Sequence, residues 1–403
     1  MAIQGGFELM SWEKVKIKEI WKGFYDGPHA TPPVSDCGGI FLGISNITPN
    51  GHIDLSDIKY ISEQNLPKWT KRVVPQGGDI VFSYEATLNL YAIIPENFYG
   101  CLGRRMALIR VDENKISNKF LYYYFFSDEW RATIAENTIV GATVDRIPIA
   151  KFPEFPISLP PLKEQERIAD ILSAYDNLIE NNQKQIKLLE EAAQRLYKQW
   201  FIDLRYPGHE TTPIIDGLPK GWKKEKLVDF ADVVMGQSPK SEFYNQEKKG
   251  LPFHQGVGSY GTRFVIDETY TSSITRIAEA GSILFSVRAP VGRLNFTKNK
   301  IVIGRGLAAI NHKNKYQSFL FYMLKERFFK DDILGNGSIF ASISKDELLG
   351  QKFIIPSDSL MREFNEITSE IDDKIVSADA QVQLLIQSRD RLLPKLMNGE
   401  LEV

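Results

Sequence analysis

The sequence is poor in the residues that form disulfides and metal sites. Its 403 residues include two cysteines, Cys37 and Cys101, and five histidines. Two distant cysteines make a poor disulfide framework and are typical of a reducing compartment, so we expect a cytoplasmic protein. The histidines are scattered without the spacing of ligands, so we expect no metal site.

Long apolar runs are also absent. No stretch of about 18 apolar residues occurs, which excludes a membrane-spanning helix. The first residues, MAIQGGFELMSW, lack the charged-then-apolar order of a signal peptide. The sequence therefore predicts a protein without a membrane partner.

The usual motifs of nucleotide-dependent enzymes are missing. No Gly-Lys pair occurs, so there is no P-loop, and no Pro-Asp pair is present to begin the common restriction-nuclease motif. Thr31-Pro32-Pro33-Val34 lacks the flanking residues of an adenine methyltransferase. Gly256–Gly261 satisfies G-x-G-x-x-G, but the following Thr262–Ile266 favours a strand rather than the helix that dinucleotide binding requires. We expect a flexible loop there, no cofactor and no catalytic site.

The charge of the chain is distributed unevenly. The net charge is −2, which by itself argues weakly against a nucleic-acid partner. Between Gly281 and Lys315, however, there are seven basic residues and no acidic one. Such a stretch is consistent with local contact to DNA, and a solvated surface is the equally weighted alternative.

The sequence repeats itself once. A shift of 196 residues places Pro160 on Pro356, and Asp176 on Asp372, without gaps over more than fifty residues. Earlier segments also match, as Gly78–Ala86 does with Gly281–Ala289. Each half is therefore one globular module followed by one long helix, with a shared framework and unlike loops.

Short β-type runs and helices together predict an α+β fold with mainly β cores. Helices are expected over Lys115–Glu136 and Tyr316–Ile333, and Ser344 with Glu347 forms a capping box that opens another. The predicted strands are Ile80–Phe82, Met106–Val111, Ile283–Phe285 and Ile301–Ile303.

Two long helices are the strongest structural prediction. No Pro or Gly occurs between Pro161 and Pro207, and apolar residues recur at steps of three and four. The second copy is expected to end near Leu393, because Pro394 does not fit inside a helix. The first seam is Ile168, Leu172, Tyr175, Ile179, Asn182, Ile186, Leu189, Ala193, Leu196 and Trp200. The second seam is Phe364, Thr368, Ile371, Ile375, Ala378, Val382, Leu385, Arg389 and Leu392.

So narrow a seam needs a partner helix, and the other copy is the nearest one. Two equal repeats pair about a pseudo-two-fold axis, which makes the helices an antiparallel coiled coil with one module at each end. Packing of each helix on its own module is the alternative. The predicted boundaries are 1–160 for the first module, 161–206 for the central helix, 207–356 for the second module and 357–403 for the last helix.

Several segments of the chain resemble the specificity subunit of type I restriction–modification systems. The resemblance covers nearly the whole chain, and its segments are specific only when taken together. The second half departs from the family at Pro356-Ser357-Asp358, where a Pro-Pro-Leu is missing, so partner docking is expected to be less symmetric there. The matching segments are Leu159–Ile168, Lys198–Asp203, Gly281–Arg293, Gly304–Ala308 and Arg391–Leu401.

The resemblance implies a non-catalytic subunit with two target-recognition domains, each recognising one half of a split site in double-stranded DNA. It implies two modification subunits, which methylate adenine, and motor-nuclease restriction subunits as partners. The length and position of the long helices separately predict that they act as spacers between the two domains. Candidate phosphate contacts are Lys68, Lys71, Arg72, Arg104, Arg105, Arg293 and Arg305. Candidate base contacts are Tyr84, Thr87, Gln255, Tyr260, Arg263 and Arg288.

Other interpretations remain open at this point. Each candidate contact has a framework or surface role as its alternative, above all Gly304-Arg305-Gly306, which matches Gly103-Arg104-Arg105 of the other half. For the whole chain, the alternative is an interaction scaffold of repeated β modules without affinity for DNA.

Overall fold

The computed structural model describes residues 12–141, 143–328 and 342–403. Residues 1–11 of the first predicted module, and residues 329–341 of the second, lie outside the described part. The contacts divide the chain into two units. Unit 1 consists of the described residues up to Asn181 together with Gln381–Val403, and unit 2 is Asn182–Ala380.

Unit 1 is built from three groups of paired strands and a helical layer. β1 pairs with β9, a second sheet has the antiparallel order β2-β8-β5-β6, and a third has the order β4-β3-β7 with β3 and β7 parallel. The strands are β1 (Glu13–Lys16), β2 (Trp21–Asp26), β3 (Gly39–Leu42), β4 (Tyr60–Ile61), β5 (Ile80–Ser83), β6 (Tyr91–Ile93), β7 (Gly100–Leu102), β8 (Met106–Val111) and β9 (Pro156–Leu159). The helices are α1 (Leu66–Trp69), α2 (Asn118–Tyr124), α3 (Asp128–Asn137) and α4 (Leu162–Tyr197), the last of which continues into unit 2.

Unit 2 contains the same arrangement with a small hairpin before it. β12 pairs with β22, one sheet has the order β13-β21-β18-β19, and another has the order β14-β16-β15-β20-β17 with β15 and β20 parallel. The first strands are β10 (Ile214–Ile215), β11 (Leu218–Pro219), β12 (Lys223–Lys226), β13 (Ala231–Met235), β14 (Tyr244–Asn245), β15 (Leu251–His254) and β16 (Tyr270–Thr271). They are followed by β17 (Ile277–Ala278), β18 (Ile283–Ser286), β19 (Leu294–Phe296), β20 (Ile301–Ile303), β21 (Leu307–His312) and β22 (Lys352–Ile355). The helices are α5 (Leu227–Phe230), α6 (Gln317–Phe328), α7 (Lys345–Leu349) and α8 (Asp358–Met397), which continues into unit 1.

The two strand patterns match element by element. The sheet β2-β8-β5-β6 corresponds to β13-β21-β18-β19, and the parallel pair β3-β7 corresponds to β15-β20. All four β-type runs predicted from the sequence are strands, and Ser344 caps α7 with the predicted Glu347. The predicted α+β class with two repeated modules and two long helices is therefore confirmed.

An aromatic core holds the helical layer of unit 1 against its central sheet. The rings of Phe82 and Phe152 lie 4.8 Å apart between centroids, and Trp130 of α3 is fully buried. The indole N–H of Trp130 donates to the Tyr91 hydroxyl at 2.9 Å, so this buried donor is satisfied. The long helix joins the same core through Ile168 and Leu172.

The long helices run antiparallel within each unit. In unit 1, Ile168 of α4 shares a buried cluster with Leu396 of α8, and Arg389 of α8 donates to Asp176 of α4. In unit 2, the ring centroids of Tyr197 and Phe364 lie 5.9 Å apart. Within unit 1, higher residue numbers on α4 face lower numbers on α8, as an antiparallel pair requires.

The predicted seam positions of both helices face inward. By contrast, Leu178 and Leu188, which lie outside the seam, are 50% and 56% exposed. The fully buried seam positions are Ile168, Leu172, Ile179, Asn182, Ile186, Ala193, Trp200, Phe364, Thr368, Ile375, Ala378 and Val382. The half-buried ones are Tyr175, Leu189, Leu196, Ile371, Leu385, Arg389 and Leu392.

The expected end of the second long helix near Leu393 is wrong, because α8 continues through Pro394 to Met397. Proline lacks the N–H that would bond to the Asp390 carbonyl, which costs about 3 kcal/mol inside a helix. Asp390 is exposed, so water can satisfy that carbonyl. Beyond the proline, Leu396 and Met397 are buried in the core of unit 1, and their burial contributes together about 3–6 kcal/mol.

The helix expected over Lys115–Glu136 is two helices, α2 and α3. Ser127 separates them, because its side chain accepts from the backbone N–H of Trp130 and so begins a new helix. The helix predicted over Tyr316–Ile333 is α6, and residues 329–333 lie outside the described part. Among the described helices, none is long and apolar enough to cross a membrane.

Candidate nucleic-acid interface

In unit 1, the ends of several strands meet at one edge of the module. The backbone N–H of Tyr84, after β5, donates to the Arg105 carbonyl, before β8, at 3.1 Å. The N–H of Gly103 donates to Leu42 at the end of β3 (2.7 Å), and that of Gly27, after β2, donates to Met106 (2.7 Å). We call this region, residues 26–29, 43, 84–89 and 103–105, the loop edge of unit 1.

The same bonds form the corresponding edge of unit 2. The N–H of Val287 donates to Gly306 at 2.9 Å, that of Gly304 to His254 at 2.8 Å, and that of Gly236 to Leu307 at 2.9 Å. The loop edge of unit 2 therefore comprises residues 236–238, 255–263, 287–292 and 304–306. The two edges arise from the same framework but carry different loops.

Glycine is required where these loops approach each other most closely. A Cβ at Gly27 would lie 2.4 Å from the Gly103 carbonyl oxygen, and one at the equivalent Gly236 would lie 2.1 Å from that of Gly304. Both distances are shorter than any real Cβ contact, so the framework keeps glycine at this point in both units.

The basic residues predicted for unit 1 differ in their availability at this edge. Lys68, Lys71, Thr87 and Arg104 are exposed. The remaining predicted contacts are engaged within the protein: Arg72 pairs with Asp26, Arg105 pairs with Glu85 at 3.1 Å, and the largely buried Tyr84 hydroxyl lies 3.4 Å from Nδ1 of His29. Burial raises the pKa of Tyr84, so its hydroxyl remains protonated.

The basic stretch Gly281–Lys315 does not form a continuous basic face. Lys298 pairs with Asp379, Lys300 pairs with Glu279 at 3.0 Å, and Nζ of Lys313 donates to the Val228 carbonyl at 2.7 Å. Arg288 and Arg305 are exposed at the loop edge of unit 2, beside the exposed Gln255. Lys315 is also exposed, after β21 and away from that edge, so the available positive charge of this stretch lies both at the loop edge and beyond it.

Arg263, which the sequence predicts as a base contact, is buried and engaged within the protein. Its side chain is 3% exposed, its guanidinium pairs with Glu190 and Asp372, and it lies 3.8 Å from the centroid of the Phe321 ring. A guanidinium held in this way has no free face for a base edge. The strand expected over Thr262–Ile266 is also not formed, and isolated bridges connect Tyr260 with Val265 and Phe264 with Phe296.

Two further predicted contacts lie beside Arg263. The Tyr260 hydroxyl is buried, and burial raises the pKa of this group, so base contact by that atom is not available without movement. Arg293 is half-buried and lines the same recess of about 420 Å³ as Tyr260 and Arg263. The exposed candidates for base contact are thus Thr87, Gln255 and Arg288.

One exposed residue at the loop edge of unit 1 was not predicted. The backbone of Arg146 pairs with Glu85, beside Tyr84 and Thr87, just as Ser342 pairs with Arg288 in unit 2. The 196-residue shift places Arg146 on Ser342, so the repeat indicates that the two residues occupy equivalent positions. Arg146 lies far along the chain from the other predicted basic contacts, so a search for clusters of basic residues does not find it.

These observations define a two-module recognition protein with an equivalent, loop-bearing edge on each unit. The profile of the type I restriction modification DNA specificity domain matches residues 11–191 and 219–378, one match for each module. The chain belongs to this family. The resemblance deduced from the sequence is confirmed, and with it the expectation of a recognition subunit rather than an enzyme.

Relatives of full length support the same assignment. The MjaIX specificity subunit of a type I restriction enzyme from Methanocaldococcus jannaschii is 27% identical, with 97% of this chain and 94% of the relative covered. The provisionally assigned MjaX specificity subunit of the same organism is 29% identical at the same coverage. The crystal structure of a type I restriction-modification S subunit from M. genitalium shares the fold, with a TM-score of 0.57, 18% identity and 98% of both chains covered.

Proposed function

We propose that this chain is the DNA-specificity subunit of a type I restriction–modification complex and recognises a split, asymmetric site in double-stranded DNA. Each loop edge recognises one half of the site. The observation that carries this proposal is that the same backbone hydrogen bonds build both edges, whereas the exposed side chains differ. A shared framework with different loops suits two surfaces that bind DNA in the same way but prefer different base sequences.

Phosphate contact and base contact are divided among the exposed residues. Arg104 and Arg305 occupy equivalent turns, between β7 and β8 and between β20 and β21, so we assign both to phosphate. Lys68, Lys71 and Arg288 add positive charge near the same edges. Gln255 has the geometry for a bidentate bond to adenine, and Thr87 suits either a base or a phosphate.

The partners follow from membership of the family. The chain assembles with two modification subunits, which carry out adenine methylation, and with restriction subunits. It contributes recognition and no catalytic group. A cytoplasmic location is part of the proposal, since Cys37 and Cys101 are both free thiols and suit a reducing compartment.

Substitution of Arg104 or Arg305 tests the phosphate assignment. Arg104→Ala and Arg305→Ala should each weaken binding of the assembled complex about tenfold, because one charge-assisted hydrogen bond is lost. The loss should be nearly the same on specific and random duplexes, because a phosphate carries no sequence information. Gel-shift titration at fixed salt measures both affinities.

Lys300→Ala is the matched control for this experiment. It removes one positive charge from the same basic stretch, but Lys300 precedes β20 at the end away from the loop edge and pairs with Glu279. The affinity of the Lys300→Ala complex for DNA should stay within about twofold of that of the wild-type complex. Equal effects of all three substitutions would mean that net charge, rather than the loop edges, governs binding, and a complex without DNA affinity would favour an interaction scaffold.

A further inference from the structure

An aspartate of a long helix anchors the recognition module in each unit. Asp176 of α4 and Asp372 of α8 are related by the 196-residue shift. Asp176 accepts from the Tyr123 hydroxyl at 2.6 Å, and Asp372 accepts from the Tyr322 hydroxyl at 3.3 Å. Tyr123 and Tyr322 lie in the equivalent helices α2 and α6, so these bonds are the same framework feature in both units.

The arginine that completes each anchor comes from a different part of the chain. In unit 1, Arg389 of α8 donates to Asp176 at 2.6 Å, and the pair therefore joins one long helix to the other. In unit 2, Arg263 donates to Asp372 at 2.5 Å and to Glu190 of α4 at 3.2 Å. Arg263 belongs to the loop that begins at Gln255, so the pair joins a recognition loop to both helices.

The Arg263 guanidinium is fixed on every side. It lies 3.8 Å from the centroid of the Phe321 ring and 4.6 Å from that of Phe296. Burial raises the pKa of Asp372, while Arg263 and the hydroxyls of Ser318 and Tyr322 favour its ionised form. Removing the guanidinium would leave a buried carboxylate with neutral donors only, so the arrangement depends on this residue.

At its other end, the loop before Arg263 is bonded to the turn Gly304–Gly306. The Gln255 carbonyl accepts from Gly306, Ser259 lies 2.8 Å from Nδ1 of His254, and the Gly261 carbonyl accepts from the side chain of Asn295 at 2.9 Å. The position of Gln255 and its neighbours is thus set by the turn Gly304–Gly306 at one end and by the Arg263 anchor at the other.

We propose that Arg263 is a positioning residue for DNA recognition by unit 2, which holds the loop Gln255–Arg263 in register with both long helices through Glu190 and Asp372. The inference rests on the proposed function. It assigns to a basic residue in a recognition loop a role without DNA contact. In unit 1 the equivalent aspartate uses an arginine outside the loops, so the first half-site lacks this dependence.

The test compares three variants of the full chain, each assembled with the modification subunits, on a duplex library randomised at both half-sites. Arg263→Met should lower the preference for the correct bases of the second half-site about tenfold and leave the first half-site unchanged. Glu190→Gln should act in the same direction, since it removes one of the two carboxylates. Arg389→Met is the matched control: it breaks the equivalent anchor in unit 1, where the arginine belongs to α8 and not to a recognition loop, and should leave both preferences within about twofold of wild type.

The readout separates positioning from general stability, because Arg263→Met and Arg389→Met each remove a half-buried or buried ion pair. Retention of the second half-site preference by Arg263→Met and Glu190→Gln would overturn the inference. An equal loss of the second half-site preference in Arg389→Met would also overturn the inference. If Arg263→Met does not assemble, Glu190→Gln decides by the same criterion. A wild-type complex without sequence preference contradicts the proposed function and this inference together, whereas a preference that survives both substitutions contradicts the role of Arg263 alone.

Discussion

Exchange of residues 12–150 for the equivalent segment of a relative with a different specificity is expected to replace one half-site of the recognised DNA and to leave the other unchanged. The exchanged segment contains the whole loop edge of unit 1 and none of unit 2. Because a recognition protein gains its specificity from base contacts at the loops, the new half-site should be that of the donor. The expected effect is large, since recognition of the original half-site is lost altogether.

The junction between the graft and the host favours correct folding. Gln165 of α4 accepts from the backbone N–H of Ser117 at 2.9 Å and donates to the backbone carbonyl of Lys115 at 3.2 Å. β1 pairs with β9 through backbone bonds, with Val15 opposite Ile157. These bonds do not depend on side chains of the grafted segment, although Tyr123 should be kept for its bond to Asp176.

Methylation mapping of DNA exposed to the hybrid complex measures the outcome. The reciprocal exchange in unit 2, over residues 223–350, is the control and should change the opposite half-site. A change in both half-sites after either exchange would show that the modules do not act independently.

The affinity of the assembled complex should fall steeply as the salt concentration rises. Five exposed cations are predicted DNA contacts, namely Lys68, Lys71, Arg104, Arg288 and Arg305. If each neutralises one phosphate, the log–log slope is about −4 to −5, because each contact contributes about −0.9. Between 50 and 200 mM salt, affinity should then decrease roughly 500-fold.

The slope also identifies the contributing residues. Arg104→Ala should make it shallower by about one, as expected for the loss of one phosphate contact, whereas Lys300→Ala should leave it unchanged. Titration of a fluorescent duplex at four salt concentrations supplies the data. A flat response would exclude the basic residues at the loop edges as the binding surface.

The repeat and the long helices could be predicted because their signals are local or periodic. A 196-residue shift already places Asp176 on Asp372, and the two residues have the same role in the structure. Apolar residues that recur at steps of three and four define the seam. Its members Ile179 and Ile186 are buried, whereas Leu178 and Leu188, which lie outside the seam, are exposed. Periodicity of this kind follows from helix geometry alone and needs no knowledge of the partner.

The role of Arg263 could not be predicted in this way. An arginine in a polar loop beside Tyr260 is typical of a nucleic-acid contact. Its carboxylate partners lie 73 and 109 residues away in the sequence, on two different helices. Only tertiary structure brings them together, and the same is true of the ion pair that removes Lys298 from the basic stretch.

The sequence predicts a helix end correctly only where the interactions that decide it come from neighbouring residues. Ser344 with Glu347 opens α7 as expected. The cost of Pro394 is visible in the sequence, whereas the stabilisation that opposes it, burial of Leu396 and Met397, depends on the core of unit 1. The break at Ser127 is not visible in the sequence pattern, because apolar residues continue on both sides of it.

The most direct test of the central claim is a map of methylated adenines in DNA treated with the wild-type chain and its modification subunits. We expect one motif made of two different short half-sites, separated by unspecified bases, with methylation in both halves. Two unlike half-sites are required because two unlike loop edges stand on the same framework. A single uninterrupted motif, or methylation without sequence preference, would contradict recognition of a split site by two independent modules.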